Sequence, residues 1–187
     1  MNTILLNTKV VVSDPCYEIP TWCQAIVDNV NPGRYHIHVV KSDEGDWGTR
    51  CSHLIAIHED HCHQNEKFQW KHYPAEIGVD SGQAGIFSIE TYRKDDVFNG
   101  QKPDFNYTPW KDDGGEMWYA HMCDRTLNNE QWGHYDQGVV SSSGYGDGVY
   151  ELLVATKNNK VIGFVINFLL DKRSIKRVVN EEFLTRI

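Results

Sequence analysis

The chain has 187 residues, of which 40% are hydrophobic, 24% charged and 12% aromatic. This composition is typical of one globular domain and excludes collagen, coiled coil and disordered chains. With 18 Lys and Arg against 26 Asp and Glu, the formal net charge is −8. That charge argues against binding to extended nucleic acid, because affinity for phosphate backbones comes from many clustered cations.

Neither a membrane segment nor a signal peptide is predicted. No apolar run approaches the roughly 20 residues that a bilayer span needs, and the first residues lack the basic and apolar regions of a signal peptide. The five cysteines are odd in number and irregularly spaced, which favours free thiols over a disulfide framework. We therefore expect a cytoplasmic protein without membrane contact.

Alternating and β-branched runs predict four strands in the first third of the chain, at 8–13, 25–29, 34–41 and 50–59. A proline after Asp14 ends the first of them, and clusters of turn-forming residues separate the other three. We therefore expect the last three to form an antiparallel meander.

The middle of the chain is less regular. A short strand is predicted over 76–80, whereas residues 86–113 contain turn formers throughout and predict no single element. A helix is predicted over 115–127, because Trp118, Met122 and Arg125 recur at helical spacing.

The C-terminal part carries the clearest strand signal. Two alternating runs, 149–156 and 160–169, flank a short turn and predict a hairpin at the centre of the sheet. Gly163 within it predicts a close approach of a ring or of backbone. The tail, 171–187, has mixed charge and is predicted to be a last helix or an arm through which copies associate.

These elements predict an α+β fold. We expect a single domain over 1–187, built mostly of antiparallel β-sheet, with one main helix near 115–127. The sheet is expected to combine the meander with the C-terminal hairpin.

The turn after the first strand places a carboxylate beside a thiol, in Ser13-Asp14-Pro15-Cys16-Tyr17. Cys16 could act there as a nucleophile, although a nearby carboxylate raises the pKa of a cysteine. The alternative is that Asp14 caps the turn and Cys16 is buried beneath it.

Two glycine-rich turns, 79–85 and 141–148, follow other strand-like runs. Their backbone N–H groups could converge on an anion, and Asp80 and Asp147 could hold a divalent cation or serve as acid and base. The alternative is two tight β-turns shaped by aspartate caps and glycine. Because each turn adjoins a strand end, we expect Asp14, Asp80 and Asp147 to lie together at one end of the sheet.

A stretch rich in cysteine and histidine gives a candidate metal site. Cys51, His53, His58 and His61 have the side-chain types that hold zinc, and we expect Cys51 and His53 to share one strand face. The alternative is a set of solvated histidines on a sheet edge and its loop.

The order of these motifs resembles that of a widespread family of uncharacterised bacterial and bacteriophage proteins. The resemblance rests on S-D-P-C-Y at 13–17, H-E at 58–59, V-D-S-G-Q-A-G at 79–85 and S-S-S-G-Y-G-D-G-x-Y at 141–150. It implies a bacterial or phage origin and a location in the bacterial cytoplasm. By association with other small phage proteins, it also implies a counter-defence role in which a nucleotide signal is sequestered or degraded.

Together these features predict a small-ligand-binding protein, with a polar pocket at one end of the sheet for a nucleotide-like molecule. Arg34, Arg50 or Arg93 is expected to supply a cation to it. The residues predicted to bind the ligand are Asp14, Tyr17, Asp80, Ser81, Gln83, Ser142, Ser143, Tyr145 and Asp147.

Two other functions stay open at this point. The protein could be a hydrolase that uses Asp80, Asp147 and His58 around a divalent metal or an activated water. As a hydrolase it could also use Cys16 as nucleophile with His58 as base. The third option is a protein-interaction module that acts through the tail.

Overall fold

The structure, a computed structural model, describes residues 2–62, 68–105, 114–169 and 175–184, and the strands among them form two antiparallel sheets. Sheet A has, in spatial order, β1 (Thr3–Leu6), β4 (Gly33–Asp43), β5 (Thr49–His58), β11 (Lys160–Asn167), β10 (Gly148–Lys157) and β6 (Trp70–Val79). Sheet B has β3 (Ala25–Val27), β2 (Val10–Ser13), β7 (Gln83–Ser88), β9 (Gly138–Ser142) and β8 (Trp132–Tyr135). Short 3-10 helices cover Gly45–Trp47, Glu59–His61 and Asp95–Phe98.

The C-terminal hairpin lies inside sheet A, as predicted. β10 and β11 pair antiparallel, and β11 also pairs with β5. Asn158 and Asn159 form the turn with φ of 51° and 61°, a left-handed conformation that asparagine tolerates and a tight hairpin needs. The close approach predicted at Gly163 is a ring, because a Cβ there would lie 2.9 Å from Cη2 of Trp70.

The predicted meander is wrong at its first strand. β4 and β5 pair as expected, but β3 pairs with β2 in the other sheet. The chain crosses between the sheets near Val30, which is buried and donates its N–H to Thr8 O at 3.0 Å. A short apolar run does not reveal which of two sheets it joins, because either inner face can bury it. β1, β7 and β8 lie where no strand was predicted.

The core lies between the two sheets. Leu54 and Phe164 of sheet A belong to one apolar cluster with Val12, Ile86 and Val139 of sheet B, and all five side chains are fully buried. Burial of an aliphatic side chain of this size contributes about 1.5–3 kcal/mol, so this interface holds the sheets together. The single sheet expected from the sequence is thus replaced by a sandwich.

The helix predicted near 115–127 is present, and it covers the outer face of sheet B. In α1 (Glu116–Thr126), Trp118 is fully buried and its ring lies 5.1 Å from that of Phe87. Asp95 accepts the N–H groups of Gly115 and Trp118 at 3.1 and 2.8 Å. This carboxylate satisfies donors of the first helical turn that have no partner within the helix.

A C-terminal helical segment covers the outer face of sheet A. It consists of α2 (Ile175–Val178) and a π-helix (Val179–Leu184). Phe183 is buried there in a cluster with Ile57 and Val165. Of the two alternatives for the tail, residues 175–184 adopt the helix and pack on the protein's own sheet, while the rest of the tail lies outside the described residues.

The five cysteines are all free, as predicted, with four of them buried and Cys16 half-buried. In the described ranges, no helix is both long and apolar enough to cross a bilayer. The chain therefore depends on burial between layers, rather than on covalent cross-links, for its stability.

Candidate functional site

Three turns meet at one end of the sandwich, and we call residues 14–17, 80–82 and 143–147 the turn cluster. Two of them carry the chain between the sheets, from β6 to β7 and from β9 to β10, and the third follows β2. The structure thus brings Asp14, Asp80 and Asp147 to one end of the fold, as their positions beside strands predicted.

Asp14 is the centre of the turn cluster. Its side chain is fully buried, and Oδ1 accepts the Cys16 N–H at 2.8 Å and the Ser81 hydroxyl at 2.6 Å. Oδ2 accepts the N–H groups of Asp80 and Ser81 at 2.9 and 2.7 Å. A carboxylate with four such bonds positions two turns, and its burial favours this role over contact with a ligand.

The third turn joins the cluster through Gly82. Its N–H donates to Asp147 Oδ1 at 3.0 Å, and its carbonyl accepts the Ser143 N–H at 3.0 Å. The Ser143 hydroxyl donates to Gly146 O at 2.8 Å within its own turn. These backbone N–H groups, which were candidates to cradle an anion, are therefore used inside the protein.

Gln83 and Ser142 are directed at α1. Gln83 is buried, its Nε2 donates to Cys123 Sγ at 3.4 Å, and its Oε1 accepts the Thr126 hydroxyl at 3.0 Å. The Ser142 hydroxyl donates to Thr126 O at 3.4 Å. Both side chains therefore tie sheet B to the helix that covers it.

The exposed layer of the turn cluster consists of phenols paired with acids. Tyr17 donates to Asp80 at 2.5 Å, and burial together with this bond raises the pKa of Tyr17. Tyr145, 57% exposed, donates to Glu44 at 2.5 Å, and its ring meets that of Trp47 edge-on. Each of these phenols is thus held by a carboxylate of the protein itself.

The residues that a hydrolase would need are not brought together. Burial, followed by the Asp14 carboxylate, raises the pKa of the Cys16 thiol far above its ordinary value, so the thiol is protonated at neutral pH. His58 ends β5 at the far end of sheet A, away from the turn cluster. The predicted pairing of His58 with Cys16, and its grouping with Asp80 and Asp147, are therefore wrong.

The candidate zinc ligands are not grouped either. A β-bulge in the β4–β5 pair inserts Ser52 between Cys51 and His53, so Cys51 faces the core between the sheets and His53 lies on the other face. His58 and His61 lie further along, with ring centroids 5.7 Å apart. Among the described residues, which include all four candidates, no group of three or more potential ligands occurs.

The three candidate cations lie in different places. Arg34 lies at the far end of sheet A, and Arg50 lies in β5 at the end near the turn cluster. Arg93 donates from Nη1 to the carbonyl oxygens of Pro15 and Cys16, both at 3.2 Å. Arg93 is therefore the cation that contacts the turn cluster, and it supports the backbone there.

A cavity of about 810 Å³ lies at the opposite end of sheet B. It is placed where β7 ends and β8 turns into β9, against the C-terminal end of α1, and we call it the Phe98–Arg125 cavity. Its lining includes the cations Lys94 and Arg125, the carboxylates Glu90, Asp96 and Asp136, and the ring of Phe98.

Arg125 is held in the cavity wall between α1 and β8. Nε donates to His134 O at 3.2 Å, and Nη1 donates to His121 O at 2.7 Å. The guanidinium carbon lies 4.9 Å from the centroid of the Phe98 ring, a cation–π contact. Burial lowers the pKa of Arg125, yet a guanidinium stays charged at neutral pH.

Gly133 makes room for this arginine. A Cβ at position 133 would lie 2.8 Å from Cγ and 2.9 Å from Cβ of Arg125. Carbon atoms do not approach one another so closely without a clash. A glycine in β8 therefore allows the stem of Arg125 to lie flat against the strand.

Sequence reasoning did not identify this cavity. Part of its wall comes from residues 90–101, where frequent turn formers predicted no element. The available signal was Arg125, because it shares a helical stripe with the buried Trp118 and Met122. A charged residue on a stripe that faces the core needs a partner or a polar cavity.

The central carboxylate of the turn cluster and the Gly82 and Ser143 N–H groups are bonded within the protein, whereas the Phe98–Arg125 cavity presents charged groups to an open volume. Comparisons of the chain with protein-family models, curated proteins and solved structures find no match.

Proposed function

We propose that this protein binds a small ligand in the Phe98–Arg125 cavity. One observation carries the proposal: a cavity of about 810 Å³ in which an aromatic ring and charged groups of both signs converge. Sites for small molecules typically have volumes of about 300–1,000 Å³ and a few well-placed polar groups.

A nucleotide-like ligand, expected from the sequence, is compatible with this lining. Lys94 and Arg125 suit phosphate oxygens. Glu90 and Asp136 offer carboxylate acceptors for ribose hydroxyls or for an exocyclic amino group. The largely buried Phe98 ring, with the Arg125 guanidinium carbon 4.9 Å from its centroid, adds an aromatic group to the cavity wall.

The turn cluster, the site expected from the sequence, supports ligand binding less well. Its central carboxylate, Asp14, is buried and accepts four hydrogen bonds from the protein. The Gly82 N–H group is likewise bonded to Asp147. We therefore propose the cavity, and not the turn cluster, as the ligand site.

The test blocks the cavity mouth. Gln101 lines the cavity with an exposed side chain, and Gln69 is an exposed residue just before β6 of sheet A. Gln101→Trp and Gln69→Trp are compared with the native protein by calorimetric titration against nucleotides and against small molecules that copurify in native mass spectrometry. We expect Gln101→Trp to bind about tenfold more weakly or worse, and Gln69→Trp to bind like the native protein.

Two results would contradict the proposal. One is that neither the nucleotides nor a copurified molecule binds to the native protein. The other is that Gln101→Trp binds with native affinity, which would put the site elsewhere. Thermal melts of both variants check that any loss at Gln101→Trp is not a loss of fold.

A further inference from the structure

We infer that the ligand of the Phe98–Arg125 cavity carries a carboxylate or phosphate group that binds to the guanidinium of Arg125. This inference rests on the proposed function, because it names the chemistry of that ligand. It follows from the fixed position of Arg125, from its lack of an ion pair in the described chain, and from the N–H donors that it keeps.

Protein contacts fix the position of Arg125 before any ligand binds. Carbonyl oxygens of His121 and His134 hold two of its nitrogens, and its Cζ lies over the Phe98 ring, 4.9 Å from the centroid. Gly133 leaves the space that the stem occupies. A guanidinium held in this way loses little conformational entropy when an anion binds to it.

Arg125 forms no ion pair in the part of the chain that the structure describes, and the charge of the neighbouring Asp124 acts on it only from a greater distance. Within the described residues, no carboxylate oxygen lies within 4.0 Å of its nitrogens. The neighbouring carboxylate, Asp124, instead accepts the N–H groups of Asp104 and Phe105 at 2.9 and 2.7 Å. An unpaired cation that is half-buried is unfavourable, and a bound anion would relieve that cost.

Arg125 also keeps donors for a ligand. Of the five N–H donors of a guanidinium, two bond to carbonyl oxygens through Nε and Nη1, and Nη2 makes no hydrogen bond to a described residue. The free N–H groups on Nη1 and Nη2 can donate side by side. Carboxylate and phosphate are the groups that accept such a parallel pair.

The carboxylates of the cavity do not neutralise this site. The side chains of Glu90, Asp96 and Asp136 are exposed, so water and salt screen their charges. The charge of half-buried Arg125 is screened less, and exposed Lys94 adds a second cation to the lining. An anionic group is therefore attracted most strongly to Arg125, while the carboxylates remain available to hydroxyl or amino groups of the same ligand.

The first experiment uses the native protein and two simple probes, inorganic phosphate and acetate. The Nε–H resonance of Arg125 is followed by ¹⁵N NMR during titration, with sodium chloride at equal ionic strength as the control. We expect one or both probes to shift this resonance saturably while chloride does not. Which probe does so distinguishes a phosphate ligand from a carboxylate ligand. If neither probe shifts it, the inference is overturned.

The second experiment compares matched pairs of ligands by calorimetry: AMP with adenosine, and succinate with succinamide. We expect the charged member of at least one pair to bind about tenfold more tightly or better, and Arg125→Gln to remove roughly tenfold to a hundredfold of its affinity. The control is Arg177→Gln, an exposed arginine of α2 that pairs with Glu181 at 2.6 Å. It should leave the affinity unchanged.

The outcomes separate the inference from the function on which it rests. If neither AMP nor succinate binds more tightly than its uncharged partner, while binding is lost in Gln101→Trp, the cavity binds a ligand but the anionic anchor is wrong. If Arg125→Gln keeps a native melting curve and native affinity for the anion that binds, the inference also fails. If no small molecule binds to the native protein in any of these assays, both proposals fall.

Discussion

The two ends of sheet B hold their charged groups in opposite ways. At the turn cluster, the buried carboxylate of Asp14 accepts four hydrogen bonds from the protein. At the cavity, half-buried Arg125 donates to two carbonyl oxygens and has no carboxylate within 4.0 Å among the described residues. The first arrangement uses its acceptors within the protein, whereas the second leaves guanidinium N–H donors for the ligand that we propose.

This difference explains why the more conspicuous motif is the weaker candidate. Residues 80–82 and 143–147 must carry the chain from one sheet to the other within a few residues. Glycine and aspartate suit such tight crossings, since glycine adopts positive φ and aspartate accepts backbone N–H groups. Their abundance therefore reflects the construction of the sandwich.

The largest expected effect concerns the turn cluster. Asp14→Ala removes the acceptor of three backbone N–H groups and one hydroxyl, so we expect the free energy of unfolding to fall by about 3 kcal/mol. Exposed Asp80→Ala is the matched control and should cost less than about 1 kcal/mol. Urea unfolding measures both. A loss below about 1 kcal/mol for Asp14→Ala would reopen the turn cluster as a ligand site.

A second effect concerns the packing behind the cavity. Gly133→Ala places a Cβ 2.8 Å from Cγ of Arg125, so we expect unfolding free energy to fall by about 1–3 kcal/mol and cavity ligands to bind more weakly. Gly148→Ala is the control, because its Cβ would meet nothing closer than 3.5 Å. Equal melting curves for the two variants would show that Arg125 is not held by this contact.

The sequence predicted those parts of the fold that depend on local pattern. Alternation identified the hairpin of 149–156 and 160–169, and helical spacing identified the helix near 115–127. The meeting of Asp14, Asp80 and Asp147 followed from their positions beside strands. For the hairpin and the helix, neighbours in sequence carry the signal that fixes the structure, and the position of each aspartate beside a strand end is likewise local.

The features that were missed depend on contacts distant in sequence. Whether β3 joins sheet A or sheet B is decided by the partner strand, which a three-residue apolar run does not encode. The bulge at Ser52 places Cys51 and His53 on opposite faces of β5, because one inserted residue changes the alternation of a strand. The cavity likewise needs Arg125 of α1 to meet Phe98, from a segment without periodicity.

A smaller effect tests a residue that the sequence assigned to the ligand. Buried Gln83 bridges Cys123 and Thr126, so we expect Gln83→Ala to lower the free energy of unfolding by about 1–2 kcal/mol and to leave ligand affinity unchanged. Exposed Gln69→Ala is the control for denaturation. Weaker ligand binding by a Gln83→Ala protein of native stability would instead restore the site predicted from the sequence.

The smallest expected effect is a pH dependence at the cavity end. Burial, followed by the charge of Arg125, lowers the pKa of His134. Between that lowered pKa and the ordinary value of about 6.5, the unfolded chain binds more protons than the native protein. The free energy of unfolding therefore falls as the pH drops through this window. Because His134 is only half-buried and solvent screens its charge, we expect its share to stay below about 1 kcal/mol.

Urea unfolding of His134→Gln from pH 7.5 to pH 5.5 checks this, with His72→Gln, an exposed histidine of β6, as the matched control. The His134 variant should lose less stability than the native protein as the pH falls, and the His72 variant should follow the native profile. A saturating anion at Arg125 should make the unfolding free energy of the native protein depend less on pH. The reason is that the anion offsets the positive charge that disfavours protonation of His134. If His134→Gln has the native pH profile, the Arg125 charge does not act on its neighbour in the way that distinguishes this end of sheet B from the turn cluster.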